Sequence, residues 1–101
     1  MKRLMVRYKV KADHADENIG YARAVYEQLA RERPTGLRYA TFRLDDGVSF
    51  VHIVSQETED GSSPLTALAS FQAFTARIGD RCEEPPVATE LHEIGSYAFF
   101  D

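Results

Sequence analysis

Leu37-Arg-Tyr-Ala-Thr-Phe-Arg-Leu-Asp-Asp-Gly-Val-Ser-Phe-Val-His-Ile-Val54 reads as two strands folded back on one glycine. Both arms are rich in β-branched and aromatic residues, and Asp45-Asp46-Gly47 between them is turn chemistry. Register decides which face each side chain takes, because a slip of one residue turns the whole strand over. With Asp46-Gly47 as a two-residue turn, Asp45 pairs with Val48, and His52 shares a face with Tyr39, Thr41 and Arg43. With Asp45-Asp46-Gly47 as a type I turn ending in a left-handed glycine, Leu44 pairs with Val48. One face then collects Ala40, Phe42, Leu44, Val48, Phe50, His52 and Val54. The bulged turn is the favoured reading, since a glycine in third position supplies the left-handed residue it needs.

Working outward, residues 3–12 alternate well. Leu4, Val6, Tyr8 and Val10 fall on one face and Arg3, Arg7, Lys9 and Lys11 on the other, the period of a half-buried strand. Asp13 is a candidate helix cap, with Asp16 and Glu17 suited to the positive end of the helix dipole. Ile19, Ala22, Val25, Tyr26, Leu29 and Ala30 form one apolar stripe, and Pro34 stops the helix. After the hairpin, residues 57–63 form a polar loop, and Ser63-Pro64 reads as a cap followed by a first-turn proline. Leu65, Leu68, Phe71, Phe74 and Ile78 mark a second amphipathic helix, fraying near Gly79. Pro85-Pro86 ends any helix, residues 87–94 read as a last strand, and Gly95 breaks it before an aromatic tail.

The order β-α-β-β-α-β, with right-handed crossovers around a tight hairpin, predicts a single α+β domain over residues 1–101. The arrangement is ferredoxin-like: a four-stranded antiparallel sheet with both helices on one face. Four strands about 4.8 Å apart and roughly seven residues long leave on the order of 400 Å² of sheet uncovered. That is about the largest apolar patch a monomer carries. With Met5, Tyr39, Val51 and Ile53 assigned to that face, a homodimer packed sheet against sheet is expected, with the Tyr97-Ala-Phe-Phe100 tail docking on the partner.

Composition narrows the classes. Twelve Lys and Arg against sixteen Asp and Glu leave a net charge of −4, without the basic footprint of a nucleic-acid binder. The longest apolar run at the start, Leu4-Met5-Val6, is too short for a signal-peptide core, and no run approaches a membrane span. Cys82 is the only cysteine, which suits a reducing compartment. The expectation is a complete, untagged cytoplasmic protein without a membrane partner. No cofactor is expected, because the glycines are scattered and none forms a phosphate loop. No metal is expected either, since His14, His52 and His92 lack ligand spacing. Asp46-Gly-Val-Ser-Phe-Val-His-Ile53 partly matches the third-strand signature of RNA-recognition motifs, at Gly47, Phe50 and Val51. Asp46 leads it where a base is required, and Val48 and Ile53 replace aromatics.

The element order, with Ser70-Phe-Gln-Ala-Phe74 in the second helix, resembles the antibiotic biosynthesis monooxygenase-like family of dimeric α/β-barrel proteins. That family includes cofactor-independent oxygenases of polycyclic aromatics and haem-degrading enzymes. The resemblance implies a dimer and a cavity between sheet and helices in each subunit. This chain departs from the family at Gln56, where a tryptophan is frequent, and at Leu65, where a histidine is. It departs again at Val6, near an asparagine of the haem-degrading branch. The pocket that remains is built from Tyr8, Phe42, Phe50, His52 and Gln56. His52 and Tyr8 are the candidate catalytic pair, able to orient a phenolic substrate or accept its proton. Phe42, Phe50 and Gln56 are the candidate ligand contacts. The competing reading makes His52 a core residue with its hydrogen bonds satisfied, in a non-catalytic binding or structural dimer.

Overall fold

The computed structural model describes residues 1–100. Its strands are β1 (Lys2–Val10), β2 (Leu37–Arg43), β3 (Ser49–Gln56) and β4 (Cys82–Leu91). They form one antiparallel sheet in the order β2-β3-β1-β4, the ferredoxin-like arrangement expected from the sequence. Helix α1 (Ala15–Glu32) and the short helices α2 (Ala69–Thr75) and α3 (Ile78–Arg81) supply the connections. A single 3₁₀ turn, Ala12–His14, precedes α1 in place of an Asp13 side-chain cap. At the far end Arg33 takes a left-handed conformation, φ 46°, and its N–H closes the helix on the Leu29 carbonyl at 2.8 Å.

The hairpin carries a correction. Gly47 is left-handed, φ 79°, and its N–H meets the Leu44 carbonyl at 3.0 Å, as a type I turn requires. The loop nevertheless holds one residue more than expected, because Leu44 N–H bonds the Ser49 carbonyl. Asp46 is the cause. Its carboxylate accepts the Val48 and Ser49 N–H groups and the Ser49 hydroxyl at 3.0, 2.8 and 2.6 Å, holding Val48 out of the ladder. Those bonds, the Ser49 hydroxyl first, lower the Asp46 pKa to about 2. The pairs become Arg43 with Phe50, Thr41 with His52 and Tyr39 with Val54. Tyr39 and Thr41 therefore face the helices beside His52, and Ala40 and Phe42 face away. The face favoured with the bulged three-residue turn is overturned for β2 and kept for β3, and His52 shares a face with Tyr39, Thr41 and Arg43 as the alternative register has it.

Two other boundaries moved. The second helix does not begin at Pro64: Leu68 is extended, and α2 starts at Ala69. Nor does it run through Ile78, since Ala76 is extended and Arg77 is left-handed at φ 61°. Strand β4 begins upstream of Pro85-Pro86. It lies at the sheet edge, where a missing N–H faces solvent without loss, and the ladder to β1 shifts register across the prolines.

The core lies between the inner face and α1, with Tyr8, Val10, Val25 and Phe50 at most 2% exposed. Each such aromatic or branched side chain contributes about 1.5–3 kcal/mol through removal from water. The outer face carries Met5, Val51, Ile53, Ala40, Phe42 and Val87 on adjoining rows of the register. Phe42 is 50% exposed and Val87 62%. The tail turns back towards its own chain, with the Arg3 guanidinium 3.8 Å above the Phe100 ring, while Tyr97 and Phe99 remain 97% and 61% exposed. Among the described residues no helix is long and apolar enough to cross a membrane.

Candidate functional site

His52 sits at the centre of the inner face, opposite Val6 on β1 and Thr41 on β2. Both ring nitrogens are engaged. Nε2 lies 2.7 Å from the Tyr8 hydroxyl, and Nδ1 lies 2.6 Å from the Tyr39 hydroxyl and 3.0 Å from Thr41 Oγ1. Thr41 meets Tyr26 at 2.7 Å, so β2 and α1 are joined through this cluster. On the other side, Asn18 Nδ2 donates to the Tyr8 hydroxyl at 2.8 Å. Arg81 Nε donates to Asn18 Oδ1 at 3.4 Å, and an Arg81 terminal nitrogen donates to the Phe74 carbonyl at 2.7 Å. The result is one buried polar chain crossing the core from α3 to β2.

Burial sets the electrostatics of the chain. His52 is 5% exposed, and desolvation lowers its pKa to about 4, so the imidazole is neutral near pH 7. Desolvation likewise pushes the Tyr8 phenol up to about 12, against the Asn18 hydrogen bond that lowers it. Tyr39 is raised by burial first and by Tyr26 second, with Thr41 opposing. Arg81 is 4% exposed, and among the described residues no carboxylate lies within ion-pair distance of it. Its charge rests on the two carbonyl-type oxygens and on the rings of Tyr21 and Phe74, 4.5 and 5.4 Å from the guanidinium carbon.

One wall of this chain is open. A cavity of about 230 Å³ lies between the inner face and the α2–α3 segment. Tyr8, Tyr39 and His52 line its floor, while Leu65, Phe71 and Ile78 line its apolar side. The split of the second helix into two short pieces leaves this roof incomplete. An apolar cavity of about 150 Å³ suffices for benzene, so this one is large enough for a small aromatic molecule.

Of the residues singled out from the sequence, Tyr8 and His52 line the cavity together. Phe50 is 2% exposed and stacks on Tyr8 with centroids 5.6 Å apart, as packing and not as cavity wall. Gln56 pairs with Leu37 and Lys2 at the end of β3, outside the lining. Phe42 is on the opposite face of the sheet, a correction that follows from the longer hairpin loop. Sequence reasoning missed Asn18 and Arg81, and set Tyr39 and Thr41 beside His52 only in the register it did not favour. Asn18 had a signal, since it precedes Ala22 by four residues and Val25 by seven, in phase with the apolar stripe. Arg81 had none.

No protein-family model matches the chain, and no curated protein does. Solved structures match it as a fold. A candidate antibiotic biosynthesis monooxygenase from Nitrosomonas europaea is 22% identical with a TM-score of 0.77, over 94% of this chain and all of that one. Rv0793 from Mycobacterium tuberculosis is 16% identical with a TM-score of 0.74, over 94% and 96%. A mutant of SnoaB, a cofactor-independent oxygenase from Streptomyces nogalater, is 15% identical with a TM-score of 0.68, over 96% of each chain. The chain has the fold of these antibiotic biosynthesis monooxygenase-like proteins.

Proposed function

We propose that this chain is a cytoplasmic homodimer that binds one small, largely apolar or aromatic molecule per subunit, between sheet and helices. The cavity of about 230 Å³, apolar except for the polar groups of Tyr8, Tyr39 and His52, carries this reading. Such a site takes its affinity from apolar burial and its orientation from a few hydroxyls. The dimer is supported by the apolar rows of the outer face, which a lone chain leaves in water. Calorimetric titration with 1-naphthol tests the binding. Saturable uptake of one molecule per chain is expected, and a folded protein that takes up none would sink the reading.

A catalytic version has one observation in its favour, the Tyr8–His52 contact at the cavity wall beside the ligand space. In that version the chain is a cofactor-independent monooxygenase. The pair accepts the proton of a phenolic substrate, and oxygen attacks the carbanion form of the ring. With 1-naphthol the balance is one oxygen atom into the ring and one into water, giving 1,4-naphthoquinone. A histidine held near pKa 4 by burial is a weak base, which favours binding over catalysis. Oxygen uptake with quinone formation above the protein-free rate would establish catalysis; its absence would leave the binding role alone.

A further inference from the structure

A second cavity, of about 250 Å³, lies between α1 and the end of β2 and shares no lining residue with the one beside His52. Two sequence periods build its walls. On α1, Ile19, Ala22, Arg23 and Tyr26 stand at spacings of three, one and three, so Arg23 rides on the rim of the apolar stripe. On β2, Tyr39, Thr41 and Arg43 alternate onto the inner face, and the longer hairpin loop is what turns Arg43 there. Phe50, paired with Arg43 across the strands, supplies an aromatic floor. The hydroxyls of Tyr26 and Thr41 meet at 2.7 Å, and Thr41 continues to His52 Nδ1 at 3.0 Å. That pair is the wall between the two cavities.

Charge sets the second cavity apart. Two guanidinium groups line it, from different elements, and among the described residues no carboxylate does. Arg3, Lys9, Arg38 and Arg77 each have an acidic partner. Among the described residues neither Arg23 nor Arg43 has one, although acids outnumber bases sixteen to twelve along the chain. An inward-pointing charge can guard an edge strand such as β2 against pairing with another chain. That role needs one cation on the strand, and leaves the second, on the helix opposite, without a reason.

We propose that this cavity is a separate ligand site for a small aromatic carboxylate, its ring on Phe50, Ile19 and Ala22 and its carboxylate held between Arg23 and Arg43. A guanidinium presents a planar fork of donors that matches a carboxylate, and it gives up its water more readily than an ammonium does. An inorganic anion would answer the charge but leave the apolar floor in water. The site stands independently of any ligand beside His52.

The test is NMR of the arginine side chains in the full chain, titrated with benzoate and with benzamide, its neutral isostere. Benzoate is expected to move the Nε–H signals of Arg23 and Arg43 along one saturation curve, and to bind about tenfold more tightly than benzamide. Equal affinities, no binding of benzoate, or shifts in the His52 ring with both arginine signals still would each overturn the proposal. Both arginines are exposed, so Arg23→Gln and Arg43→Gln keep the fold; each is expected to weaken benzoate about fivefold. Arg31→Gln removes an exposed cation about 12 Å further along α1, beyond a Debye length at physiological salt, and is expected to leave benzoate within about twofold. A loss as large as that of Arg43→Gln would reduce the site to diffuse attraction and overturn it. Displacement of benzoate by an equal concentration of inorganic phosphate would overturn the ligand class, since the ring would then contribute nothing.

Discussion

Tyr8 and His52 touch diagonally across the sheet: Tyr8 is paired with Phe50 and His52 with Val6, yet the phenol oxygen reaches Nε2 at 2.7 Å. The rings lie 5.3 Å apart with an interplanar angle of 29°, so one contact is both stacking and a hydrogen bond. Removing either partner strands the other in a dry core. Tyr8→Phe and His52→Gln are each expected to cost about 1–3 kcal/mol in urea unfolding. The double mutant should cost less than the sum of the two, with a coupling of about 0.5–3 kcal/mol. Additive losses would show that the two groups act independently.

His52 also ties stability to pH. Its folded pKa of about 4 lies below the ordinary 6.5, so the unfolded chain binds the proton more readily than the folded one. The stability at stake is fully present above pH 6.5, falls as the pH drops through the window from 6.5 to 4, and is wholly lost below 4. The full difference is about 3 kcal/mol. The buried phenols Tyr8 and Tyr39 do not titrate in that window, because burial moves both upward. Melting temperatures from pH 7 to pH 4 should therefore fall in wild type and fall less steeply in His52→Gln. Parallel curves for the two proteins would remove His52 as the source.

Gly36 tests a different kind of constraint. It is left-handed, φ 78°, and a Cβ placed there would stand 2.7 Å from Thr58 Cγ2, where the loop after β3 crosses the start of β2. The Glu57 N–H bonds the Gly36 carbonyl at 2.8 Å and fixes that crossing. Gly36→Ala is expected to cost about 1–3 kcal/mol, whereas Gly47→Ala meets open space and carries the backbone strain alone. Chemical denaturation of the two variants should rank Gly36→Ala as the worse.

These sites divide by how locally their causes are written. The strands, α1 and the crossover order follow from hydrophobic period and turn residues, which are local, and so they were legible. Leu4, Val6, Tyr8 and Val10 announce an inner face without any knowledge of the rest of the chain. The hairpin register was not legible, because it turns on whether the Asp46 carboxylate captures two backbone N–H groups. That single choice decided that Tyr39, not Phe42, meets His52. The early start of β4 depended on its lying at an edge, which makes Pro85 and Pro86 harmless. Arg81 was out of reach for a plainer reason: a lone arginine in a polar stretch reads as surface, and only the packed fold shows it buried against Asn18 and Phe74.

The outer face of the sheet yields the last prediction. Phe42 and Val51 pair across β2 and β3, and Met5 and Ile53 pair across β1 and β3, so four apolar side chains adjoin at the centre of that face. Phe42 takes no part in the core, being half exposed and on the side away from the helices. Its substitution by a charged residue therefore leaves the fold alone and acts only on what covers the sheet. In a sheet-against-sheet homodimer two copies of the substitution meet near the two-fold axis, and two desolvated carboxylates there repel each other. Phe42→Glu is expected to shift the protein to monomer in sedimentation equilibrium while its melting curve at low concentration moves little. The tail separates this surface from a rival. Phe99 and Phe100 border the same face beside Phe42 and Ile53, held by Arg3 of their own chain. If Phe100→Ala dissociates the dimer as completely as Phe42→Glu does, the tail belongs to the interface after all. If Phe42→Glu leaves a dimer of unchanged affinity, the two copies do not meet on this face of the sheet.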